Sequence, residues 1–147
     1  MAQELMPVSE ARQRILANLP TMPGEQVALT EAHGRVLSED VAARVTQPPL
    51  AVSAMDGYAV RAADVVNVPV DLTIIGEVPA GSFYDGTLSA GDAVRIFTGA
   101  ALPAGADAIV IQEDTARNGD TITVKESSAE GRYVRKAGLD FAEGDVL

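Results

Sequence analysis

Cysteine and tryptophan are absent from the 147 residues, and histidine occurs once. Without cysteine there is no disulfide framework, no thiol nucleophile and no thiolate metal centre. A lone His33 excludes any motif that needs two imidazoles on one ion. Aromatic residues are only 4% of the chain, which leaves little for stacking on single-stranded nucleic acid and assigns the core to Val, Ile, Leu and Ala. Positive charge is scarce as well. The 11 Lys and Arg stand against 21 Asp and Glu, a formal net charge of −10. A field of that sign repels phosphate backbones and attracts divalent cations, so nucleic acid is not an expected partner. No apolar run approaches the roughly 18 residues of a membrane span. The opening Met1-Ala2-Gln3-Glu4 lacks the basic and then apolar start of a secretory signal. The expectation is a soluble, cytoplasmic protein without membrane contact.

What is present divides near Gln47. Before it, Ser9 reads as an N-cap, Glu10 sits in a first turn, and Ala11, Ile15, Leu16 and Leu19 make an apolar stripe that Pro20 ends. Gln26 to Leu29 reads as a short strand. Thr30 reads as the cap of a brief helix, Glu31 to His33, closed by Gly34, and Val36 to Val45 reads as extended and mostly β. Pro48-Pro49 forbids helix and suggests a boundary. Beyond it the chain reads as strands: Tyr58 to Arg61, Val70 to Gly76, Ala93 to Phe97, Ala108 to Gln112, Thr121 to Lys125 and Arg132 to Arg135, with Asn118-Gly119 a hairpin turn. A turn of the form Gly-Asp or Gly-Ala-Asp opens strands after Gly91, Gly105 and Gly144. The last of these begins a strand two residues before Leu147, which suggests the front part of a longer polypeptide.

Chemistry could reside in a few polar positions. Asp56, in Met55-Asp56-Gly57-Tyr58, fits by its spacing first an Asp-Gly hairpin turn between Val52–Met55 and Tyr58–Arg61, a turn that would also present the carboxylate. Thr98 follows a strand in Phe97-Thr98-Gly99-Ala100, where its hydroxyl can bond local backbone or a ligand. Asp140 lies in the loop Lys136-Ala137-Gly138-Leu139-Asp140. Two carboxylates and a hydroxyl suit Mg²⁺, which takes hard oxygen ligands. Arg132, Arg135 and Lys136 form the only basic cluster and could contact phosphate or simply be solvated, with alternation placing Arg132 opposite Arg135. Gly76 to Gly81 lacks the Gly-Lys-Ser/Thr ending of a phosphate loop and reads as a bend.

Several of these stretches, in order, resemble the MoeA/gephyrin family of molybdopterin molybdenumtransferases. The residues that carry the resemblance are Pro48-Pro49 with Ser53-Ala54-Met55-Asp56-Gly57-Tyr58-Ala59-Val60-Arg61, then Arg95-Ile96-Phe97-Thr98-Gly99-Ala100 with Pro103, then Ala108-Ile109-Val110 with Gln112-Glu113, and then Val134-Arg135-Lys136 with Gly138 and Asp140. The resemblance implies an α+β, mainly β fold. A mixed α/β domain, residues 1–46 plus 136–147, would carry an inserted, barrel-like β-rich module at 47–135. It implies transfer of molybdate into adenylylated molybdopterin with Mg²⁺ required, in a homodimer supplied by an upstream molybdopterin adenylyltransferase. Asp56, Thr98 and Asp140 would be the catalytic positions, Asp56 and Asp140 the metal ligands, and Ser53 and Arg135 contacts to the cofactor substrate. The isolated chain would be inactive. Two other readings stand beside it: a dimerisation or scaffold module of gephyrin type, and an acidic metal-binding β module without catalysis.

Overall fold

The computed structural model describes residues 5–147. They form two compact units, one reaching to Asp40 and the other Val41–Leu147. The first holds a single α-helix, α1 (Val8–Ala17), and one turn of 3₁₀ helix at Leu29–Glu31. Helix α1 starts two residues earlier than its sequence suggests. Pro7 occupies the cap position in extended conformation, its ring holding φ at −57°, and Ser9 falls inside the first turn, where it caps nothing. Thr30 likewise lies inside the 3₁₀ turn instead of capping it. Gln26 to Leu29 forms no strand. The extended stretch expected at Val36 to Val45 is not a strand either. Ser38-Glu39 bends the backbone, and the part beyond Asp40 is tied down by one isolated bridge, Ala42 to Val146. Among the described residues, no helix is long and apolar enough to cross a membrane.

The second unit is built from β1 (Val52–Ser53), β2 (Gly57–Val60), β3 (Val70–Val78), β4 (Asp92–Ile96), β5 (Ala108–Ile111), β6 (Thr115–Asn118), β7 (Thr121–Val124) and β8 (Val134–Arg135). Six of them make one curled, half-barrel sheet in the order β5-β2-β4-β3-β7-β6, while β1 pairs with β8. The fold is α+β and mainly β, as expected. All pairs in the large sheet are antiparallel except β3 with β4. Strands β2 and β4 sit inside the sheet, and both of the sheet's faces are covered there. Tyr58 and Val60 join one apolar cluster with Val110, Ile122 and Val124; Ala59 joins the other with Val94, Ile96 and Ile109. Burial on both faces explains why β2 and β5 read as unbroken apolar runs instead of alternating.

Strand β6 is the element the pattern did not announce. Its Thr-Ala-Arg-Asn is polar and mostly exposed, and it exists because the Asn118–Thr121 hairpin folds it onto β7 at the sheet edge. The glycine-aspartate turns have the expected positive φ, with Gly91 at 83° and Gly144 at 93°, but the strand expected after Gly144 does not form, and Val146 makes only an isolated bridge to Ala42. Their aspartates accept from the amide three residues before: Ser89 donates to Asp92 and Ala142 to Asp145. The C-terminal segment runs back along residues 41–48. Ala43 donates to Asp145, Gly138 to the Pro48 carbonyl, and Gln47 bridges to Phe141.

Candidate functional site

Asp56 lies between β1 and β2, but these strands do not pair with each other. Strand β1 pairs with β8, and β2 with β4 and β5. The expected Asp-Gly hairpin is therefore replaced by a bend in which the chain leaves one sheet and enters the other. Ser53, nearly fully buried, shapes that bend: its hydroxyl donates to the Met55 carbonyl at 2.6 Å. Gly57 is required by close approach, since a Cβ there would overlap the Val110 carbonyl oxygen.

Asp56 and Thr98 are 42 residues apart and meet through the β2/β4 register. Gly57 lies opposite Ile96, so the residue preceding β2 faces the turn that follows β4. Asp56 Oδ1 accepts both the Thr98 amide and the Thr98 hydroxyl, each at 2.8 Å. Those two bonds, the amide first, hold the Asp56 carboxyl below its ordinary range, with a smaller contribution from the charge of Arg95. Oδ2 receives no hydrogen bond from the described residues and stays open to a ligand.

Asp140 and Arg135 form the second pair. Arg135 Nη2 donates to both Asp140 carboxylate oxygens at 2.7 Å, with both side chains about two-fifths exposed. Strand β1 lies between the two pairs. Ser53 donates to Ala100 and accepts from Gly99 on one side, while Val52 pairs with Arg135 on the other. Arg135 also lines a groove of about 420 Å³, together with Pro48, Pro49, Phe83, Gly99 and Ala101. Arg132 is not on a strand. It stacks over Tyr133, which is held at φ 58°.

Asp56 and Asp140 are the two carboxylates expected to hold one Mg²⁺. Each acid is engaged by its own partner, Asp140 by a cation, and no hydrogen bond links the two. No cluster of three or more His, Asp or Glu able to hold a metal occurs among the described residues.

Two residues at the site carried no role in the sequence reading, Arg95 and Gln112. Arg95 Nη1 donates to the Gly57 carbonyl and Nη2 to Gln112 Oε1, each at 2.8 Å. The available signal was a cation in the middle of the apolar strand Ala93–Phe97.

Residues 6–147 match the family model described as the MoeA N-terminal region (domain I and II). The chain is 35% identical over 146 residues to a molybdopterin molybdenumtransferase of Staphylococcus aureus, covering 97% of this chain and 35% of the relative. To the protein of that name in Haemophilus influenzae it is 36% identical over 145 residues, covering 97% and 36%. It thus spans about a third of the length of these curated relatives. The solved structure of a molybdopterin biosynthesis MoeA protein from Pyrococcus horikoshii OT3 superposes with a TM-score of 0.84 at 38% identity, covering 98% of this chain and 39% of that one.

Proposed function

The chain belongs to the family of the MoeA N-terminal region, and on that premise we propose that it is the N-terminal portion of a molybdenum insertase, acting in molybdenum cofactor biosynthesis. The whole protein would transfer molybdate into adenylylated molybdopterin, releasing the adenylate. Its relatives named molybdopterin molybdenumtransferase support the reaction class. The observation that carries the site is Asp56, charged, fixed through one oxygen by Thr98 and open at the other. In this proposal the Asp56 carboxylate orients the reacting anion's hydrogen-bonding partners, and Thr98 holds the carboxylate in place. Arg135, on the groove wall, binds an anionic oxygen of the substrate once Asp140 yields it. Mg²⁺ remains a requirement of the full reaction, and no step in this chain depends on it. Residues 1–46 with 136–147, and residues 47–135, are proposed as the domain and its inserted module. The proposed partners are a second copy and, upstream, a molybdopterin adenylyltransferase. The 147-residue chain alone is proposed not to turn over.

Molybdate-dependent adenylate release by the full-length protein tests this. Asp56→Ala is expected to lower the rate by about a hundredfold, the scale of losing a preorganised electrostatic group. Equal rates in the two proteins, or wild-type release that ignores molybdate, would sink the reading.

One observation favours a second reading, a gephyrin-type dimerisation or scaffold module. No residue of α1 is buried, and Ile15 and Leu16 are each about 60% exposed. Molecular mass in solution decides it: a strict monomer at all concentrations excludes a dimerisation module.

A further inference from the structure

Arg95 is a partly buried charge on β4, an inner strand of the large sheet. Arg95 is held on several sides. The guanidinium lies 4.6 Å from the Phe97 ring centroid and 5.2 Å from that of Tyr58, its cross-strand partner. Its two terminal nitrogens reach Gly57 O and Gln112 Oε1. Gln112 in turn donates its backbone amide to the Asp56 carbonyl at 3.1 Å. The carbonyls of Asp56 and Gly57 are therefore gripped together, one by Gln112 and one by Arg95. Phe97, the ring on which Arg95 stacks, directly precedes Thr98. No carboxylate forms a salt bridge with Arg95 among the described residues.

We propose that Arg95 is a positioning residue for Asp56: through Gly57 and Gln112 it fixes the backbone that carries the carboxylate, and through Phe97 it fixes the turn that carries Thr98. The role rests on the transferase reading, in which Asp56 works on substrate. Arg95 itself touches no substrate. Its fork of donors matters more than its charge, because a lysine ammonium is a point charge that cannot serve both acceptors in a fixed geometry.

The test uses Arg95→Met, Arg95→Lys and Gln112→Met in the full-length protein, with kcat and KM measured for molybdate-dependent adenylate release. Alongside, the Thr98 amide is followed by NMR in the 147-residue chain. Arg95→Met is expected to lower kcat about ten- to a hundredfold, the scale of a misplaced catalytic group, with KM nearly unchanged, since ground-state binding is untouched. Arg95→Lys should recover only part of that loss, and Gln112→Met, which spares the sheet, should lose less than Arg95→Met. The Thr98 amide should shift and exchange faster in Arg95→Met while the amides of β3 and β7 stay in place. Two results overturn the proposal: an unmoved Thr98 amide, or a fall in kcat matched by disturbance of amides across the whole sheet in all the variants. Wild-type protein without molybdate-dependent release would instead fail the functional reading, and the Thr98 amide would still report whether Arg95 holds the turn.

Discussion

Asp56 keeps its charge because two donors from Thr98 converge on a single oxygen. Its carboxyl is held below the ordinary carboxylate value, so it binds a proton less readily in the folded chain than in the unfolded one. The stability linked to it is fully present above the unfolded pKa of about 3.9 and fades as pH falls through the lower folded value. Asp56→Asn should therefore be less stable than wild type at pH 7, and the gap should close below about pH 4. Urea midpoints across that range measure it, and a gap that stays constant with pH contradicts the assigned cause. Gly57 makes a different demand at the same bend. Gly57→Ala should cost about 2–3 kcal/mol, as overpacking against rigid backbone does, because the added methyl meets the Val110 carbonyl. A denaturant midpoint equal to wild type would show that β5 can retreat. At this scale the sequence already marked Asp56 and Thr98. It could not show that Asp140 faces Arg135 instead, since that pairing depends on how the loop after β8 folds back.

Among elements, patterning served best where one signal dominated. The apolar runs at β2 and β5 and the glycine-aspartate turns were legible because burial on both faces and positive φ each demand particular residue types. It served worst where tertiary partners decide. Strand β6 has no apolar code of its own, and Val36 to Val45 has β-formers without a neighbouring strand to pair with. Helix α1 has its expected stripe, yet the stripe stays largely exposed. That contrast predicts unequal costs. Ile122→Ala, wholly buried on β7, should destabilise the chain by about 3 kcal/mol. Leu16→Ala on α1 should change stability by less than about 0.5 kcal/mol. Urea unfolding of both variants checks the pair, and a large loss for Leu16→Ala would mean that α1 is covered in solution.

Over the whole molecule, every buried apolar side chain among the described residues lies beyond Asp40, in the second unit. Hydrogen exchange should reflect this: amides of β2, β4 and β7 are expected to exchange only on global unfolding, and those of α1 by local opening. Equal protection in the two units would contradict it. The sequence by itself determined the family and the mainly β fold and marked Asp56 and Thr98 as candidates, because these follow from residue types in a fixed order. Only the tertiary structure decided which of them meet. Strand register brings Asp56 to Thr98 across 42 residues, and β1, by pairing with β8 instead of β2, places the Arg135–Asp140 pair on its other side. Such pairings arise from long-range backbone hydrogen bonds, which any sequence of suitable strands could form in several registers, and from the packing that selects one of them.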